Sequence, residues 1–143
     1  MKIDILRLNL RSPLYYAPDK DSDPFGYSEG EGEKLFCFEL DETCARDFEP
    51  DKITFLGNPV FGGKASREVR EETHLELPRG NYLFAQKREI LNRKDIIDLA
   101  VEIQQEGLWQ RLLPGDKLYL RYLFEDGRFV TQLFRPYAEL DEE

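Results

Sequence analysis

At 143 residues, 41% of them hydrophobic and 13% aromatic, the chain is long enough to form one domain, residues 1–143, with a core of its own. Its net charge of -9 argues against direct nucleic-acid binding, because phosphate contacts need a basic stripe and every Lys/Arg cluster here has acids beside it. No apolar run is long enough to span a membrane. The opening Met1-Lys2-Ile3-Asp4-Ile5 also puts an acid where a signal peptide needs an unbroken apolar stretch, so a cytoplasmic protein is expected.

Lys2 to Leu10 alternates Ile3, Ile5, Arg7 and Asn9 against Asp4, Leu6, Leu8 and Leu10, the period of a strand covered on at least one side. Ala17 to Lys34 is a polar, Gly/Pro/Asp-rich excursion of the kind that forms a loop or lid. Inside it, Asp19, Asp21 and Asp23 have the spacing that opens an EF-hand loop. Pro24 and Gly30 stand where that loop needs its glycine and its glutamate, so a solvated acidic loop is the expectation.

Lys34 to Leu40 reads as a second strand, Asp41 to Phe48 as a short helical turn, and Ile53 to Phe61 as a third strand interrupted at Asn58-Pro59. Cys37, between Phe36 and Phe38, reads as a small buried thiol. Cys37 and Cys44 do not form a Cys-x-x-Cys pair, and His74, the one histidine, completes no zinc site with them. A single histidine also removes most Ser-His and Cys-His schemes. No catalytic residue, metal ligand or cofactor is therefore expected. Gly62-Gly63-Lys64 lacks the upstream glycine of a P-loop and reads as a turn.

Lys64 to Glu76 fits a helix by composition and a strand by its few apolar positions, and both stay open. Arg67-Glu68-Val69-Arg70-Glu71-Glu72-Thr73-His74-Leu75 within it resembles the second half of a Nudix box. Glu68, Glu71 and Glu72 on a helix would share Mg²⁺ against a diphosphate. The box's opening glycine falls on Ile53, its middle glutamate on Pro59 and its closing glycine on His74. A solvated charged face explains the run as well. A divergent Nudix-type metal-dependent hydrolase is thus an alternative function rather than the leading one.

The next helix is better specified. Asn92 is the expected N-cap, Asp95 stands at the capping-box position, and Leu91 with Ile96 supplies a hydrophobic staple. Ile96, Ile97, Leu99, Ala100, Val101, Ile103 and Leu108 share one broad face, and Asp98, Glu102, Gln105 and Glu106 the other. Trp109 projects near the polar side if the helix runs on through Gly107. Either the helix breaks at that glycine, or the indole lies at a groove or contact surface.

Asp126-Gly127 predicts a two-residue type I′ hairpin pairing Glu125 with Arg128. That register puts Leu118, Leu120, Tyr122 and Phe124 on one face with Phe129 and Leu133. Tyr119, Leu123, Val130 and Phe134 fall on the other, with Arg121 and Gln132 between them. Both faces are apolar. One helix covers one face, so the second must meet the N-terminal half, a partner or a ligand.

Leu77-Pro78-x-Gly80-x-Tyr82, an amphipathic helix, Tyr119-x-x-Tyr122 and a last strand closing on Phe134-Arg135-Pro136 together resemble the gyrase-inhibitor-like domains. These are also the effector-binding domains of AraC-type regulators. The likeness covers Leu75 to Tyr137. It implies strand-helix-strand-strand units that share a sheet around a pocket for apolar, often cationic, small molecules. The acid that often answers a cation in that family falls on Leu120.

The expected fold is α+β, a mostly antiparallel sheet with one principal amphipathic helix and a C-terminal strand-helix-strand-strand unit. The expected function is non-catalytic binding or sensing of a small apolar or aromatic molecule, with Tyr82, Trp109, Tyr119, Tyr122 and Phe134 as ligand-binding residues. The third alternative is a protein-interaction module, whose aromatic face would pair two copies or dock a regulatory partner.

Overall fold

The computed structural model describes residues 3–18, 23–27, 32–40, 58–65 and 75–139. The short helical turn expected at 41–48, the Nudix-like glutamates and Asp19 and Asp21 of the EF-hand-like run lie outside them. Among the described residues there are nine strands and one helix. In chain order they are β1 (Leu6–Leu10), β2 (Leu14–Pro18), β3 (Lys34–Glu39), β4 (Asn58–Ala65), β5 (Leu75–Leu77), β6 (Gly80–Lys87), α1 (Arg93–Trp109), β7 (Leu112–Pro114), β8 (Lys117–Glu125) and β9 (Arg128–Glu139). The fold is α+β and mostly antiparallel, with one long helix. No helix among the described residues is long and apolar enough to cross a membrane.

The sheet runs β1-β6-β9-β8-β3-β4-β2-β5, with β7 added to the end of β9, and every described pairing is antiparallel. β1 and β2 are two halves of one bent segment, and so are β5 and β6. Leu10 pairs with Gly80 and Leu14 with Leu77, so the two bent segments stay paired across the bend. β2 meanwhile pairs with β4 along its other edge through Tyr16 to Pro18. The sheet therefore curls into a half-barrel whose two ends are joined through these segments, and it has an inner and an outer face.

Side-chain alternation sorts residues between the faces. The outer face carries Phe36, Phe38, Leu83, Ala85, Leu118, Leu120 and Leu133. It packs on Ile96, Leu99, Ala100 and Ile103 of α1. The inner face collects Tyr16, Leu35, Cys37, Tyr82, Tyr119 and Phe134. The hairpin has the expected register: Glu125 pairs with Arg128, and Asp126 and Gly127 take φ of 52° and 77°, both positive as a type I′ turn requires. The second apolar face of that hairpin is met by the N-terminal half, through β1, β2 and β3.

One expectation changes, and one open alternative is decided. Gly62 and Gly63 lie within β4 rather than in a turn. Gly63 passes so close to the β2 backbone that a Cβ would collide with the Ala17 carbonyl, and a Cβ on Gly62 would lie 2.8 Å from the Phe36 ring. Both are glycines for close approach. Gly107 does not break the helix: α1 runs on to Trp109, and Gly107 is buried against Leu83.

Candidate functional site

Three adjacent strands place one row of polar side chains on the inner face. Arg121 on β8 is registered with Gln132 on β9, and Gln132 with Gln86 on β6. They are linked by hydrogen bonds. Arg121 Nη1 donates to Gln132 Oε1 at 3.1 Å, and Gln132 Nε2 donates to Gln86 Oε1 at 3.0 Å. At the other end Arg121 Nε donates to the Tyr16 hydroxyl at 2.8 Å, and that hydroxyl donates to Glu33 Oε2 at 2.6 Å. Arg121 Nη2 closes the ring on the same carboxylate oxygen at 3.1 Å. The Arg121 side chain is 17% exposed and that of Glu33 31%, so the ion pair is sheltered but not sealed. A partly desolvated guanidinium is stabilised by such compensation.

Beside this row lies an aromatic and thiol layer. Tyr82 meets Tyr119 edge-on with ring centres 6.2 Å apart, and Phe134 at 5.7 Å. The Tyr82 hydroxyl donates to the Pro78 carbonyl. Phe84, half-buried, lies 5.0 Å from Phe134 and extends the layer towards solvent. Burial pushes the Cys37 thiol up to about 11 against the pull of the Lys117 ammonium. It pushes the Tyr82 hydroxyl up to about 12, with Glu76 adding to the shift. Tyr119 is raised by burial and by the neighbouring Cys37. Tyr16 is raised by burial, with Arg121 opposing. All four groups are therefore protonated at neutral pH. Among the described residues no cluster of His, Cys, Asp and Glu could hold a metal ion.

The row ends at a groove of about 280 Å³ lined by Ile3, Asp4, Leu6, Phe84, Gln86 and Lys87. It forms where β1 and β6 part. The β1–β6 ladder stops at Leu6 and Phe84, while β6 stays paired with β9 as far as Lys87. Ile3, Leu6 and Phe84 are apolar. Gln86, itself exposed, is the side chain that joins the groove to the partly buried polar row.

The five residues expected to bind ligand fall in three places. Tyr82, Tyr119 and Phe134 come together on the inner face, packed against one another and closed to solvent. Tyr122 lies on the opposite face, stacked on Tyr27 with ring centres 4.3 Å apart, its hydroxyl donating to the Pro24 carbonyl at 2.6 Å. Trp109 stands at the end of α1, 84% exposed. Gln86, Phe84, Leu6, Glu33 and Tyr16 were not singled out from sequence. The signal for part of the site was the polar pair Arg121 and Gln132 interrupting an apolar hairpin face. No family model matches the chain, and no curated protein matches it.

Proposed function

We propose that this domain is a non-catalytic binding or sensing module for a small molecule with an apolar or aromatic body, held in the groove between Leu6 and Phe84. The observation that carries this reading is the groove's make-up: the apolar side chains of Ile3, Leu6 and Phe84, the last backed by its ring contact with Phe134, beside the exposed Gln86 amide that is tied to a partly buried hydrogen-bond row. Pockets that hold small ligands combine apolar walls with a few fixed polar groups in this way. The likeness to gyrase-inhibitor-like effector domains implies ligands of similar character. We read β6, α1, β8 and β9 as the corresponding strand-helix-strand-strand unit.

A ligand that binds only the folded state raises the melting temperature by mass action. A thermal-shift screen with hydrophobic cations, neutral aromatics and lipophilic acids should give concentration-dependent hits. Their shifts should shrink in Phe84→Ala, which removes the ring on the groove floor. A screen without hits, or hits indifferent to Phe84→Ala, would count against the reading.

A further inference from the structure

β1 stands first in the strand order, and its far edge pairs with no strand among the described residues. An edge of this kind presents a row of backbone N–H and C=O groups and is a template for another extended chain. Leu6, Arg7 and Asn9 are exposed along it, and Leu8 and Leu10 are half-buried. Leu6 is 58% exposed although it belongs to the apolar side of the strand. The register with β6 sorts these residues: Leu8, across from Tyr82, lies on the inner face with Leu6 and Leu10, and Arg7, across from Leu83, lies on the outer face with Asn9. No residue of β1 carries a negative charge. On a chain of net charge -9, this edge lets two copies meet without bringing acids together.

We infer that β1 pairs antiparallel with β1 of a second copy about a twofold axis at Leu8, joining the two curled sheets. A twofold strand pair sets each residue opposite one of the same face, so the axis passes through a residue and not between two. Centred on Arg7, the pair would set Arg7 against Arg7. Centred on Asn9, it would set Arg7 against Arg11. Like charges directly opposite each other are destabilising. Centred on Leu8, Leu6 meets Leu10, Leu8 meets its own copy and Arg7 meets the neutral Asn9. That register pairs the whole of Leu6–Leu10 and covers the exposed Leu6. Arg7 is already held in its own copy, donating to Gln110 Oε1 at 2.7 Å and lying over the Tyr137 ring, and a neutral Asn9 leaves it there. A five-residue ribbon is small for an interface, which fits a concentration-dependent pair and not an obligate dimer.

Sedimentation equilibrium of the intact chain should show a monomer–dimer equilibrium that tightens with salt, because screening reduces the repulsion between two copies of charge -9. Asn9→Lys sets a second cation against Arg7 of the other copy, twice by symmetry, and should weaken the dimer roughly fivefold to tenfold. Asn9→Glu should tighten it. In a Cys44→Ser background, Leu8→Cys should form an intermolecular disulfide under mild oxidation, since the two copies of that position face each other. Leu6→Cys, which faces Leu10 instead, should not, because its two copies lie too far apart for a disulfide. Cys37 is buried and does not compete. Asn9 is exposed, so its variants test the pairing even where Leu8→Cys folds poorly. A chain that stays monomeric at millimolar concentration and high salt, its β1 edge left for a foreign strand, overturns the inference. So does a dimer indifferent to both Asn9 changes, or one that crosslinks through Leu6→Cys as readily as through Leu8→Cys.

Discussion

Cys37 is enclosed by the inner layer, with no solvent exposure and its thiol raised from 9.0 to about 11 by burial. Thiolate is the reactive form, and a rise of that size leaves about a hundredfold less of it at a given pH, before access is considered. In a Cys44→Ser background, where Cys37 is the sole thiol, the folded protein should react with a disulfide reagent roughly a hundredfold or more slower than the urea-unfolded chain. Rapid stoichiometric labelling of the folded protein would show that the inner layer is open. Part of this residue-scale chemistry was legible in the sequence. Cys37 between two phenylalanines reads as buried, and the Asp126-Gly127 turn fixes a register that sets Arg121 opposite Gln132. The partners of Arg121 were not legible. Glu33 lies 88 positions away and Tyr16 lies 105 away, and only the pairing of β3, β4 and β2 carries them to the guanidinium. Long-range pairing of this kind leaves no local pattern to read.

The helix shows the same division at the scale of one element. Its start was written locally: Asn92 Oδ1 accepts from the Asp95 N–H at 2.8 Å, and Leu91 and Ile96 are both buried. Its end was not. Gly107 looked like a candidate breaker, yet its role is set by β6, since a Cβ there would lie 2.8 Å from Leu83 Cδ1. Leu83 is fully buried and has little room to yield. At both positions alanine should therefore destabilise the protein although it is the better helix former. Gly107→Ala should gain helix propensity of about 1 kcal/mol but lose more to overpacking, for a net destabilisation of about 1–2 kcal/mol. Asn92→Ala should cost about 1 kcal/mol through the lost cap, and Asn92→Ser should recover most of it. Urea unfolding of the three variants checks both. A stabilised Gly107→Ala would mean that α1 stands farther from β6 than the contact with Leu83 requires. Trp109, two residues beyond that contact, remains exposed because the helix continues without turning the indole back to the sheet.

For the whole molecule, closing the curled sheet puts ionisable groups where only their neutral forms are comfortable. Tyr16, Tyr82, Tyr119 and Cys37 belong to one buried cluster, and each has its pKa raised, chiefly by desolvation. Ionising one also opposes ionising the next, as the effect of Cys37 on Tyr119 shows. A folded pKa above the unfolded one means that the folded state holds its proton longer. The stability these groups contribute is thus complete below their unfolded values, 9.0 for the thiol and 10.0 for the phenols, and is lost as pH climbs above them. Each group removes up to about 1.4 kcal/mol per pH unit between its two pKa values. Urea midpoints should therefore be nearly flat from neutrality to about pH 9 and then fall steeply through about pH 11, with thiol ionisation leading and the phenols following. The net charge of -9 grows more negative over the same range, and self-repulsion would also destabilise the fold. Salt separates the two causes, because it screens surface repulsion and leaves the proton linkage of the buried cluster in place. The fall should persist at high salt and become shallower in Tyr119→Phe, which removes one titrating group from the cluster. A midpoint that holds steady through pH 11, or a decline that salt abolishes, would show that the inner face is not the dry layer its packing implies.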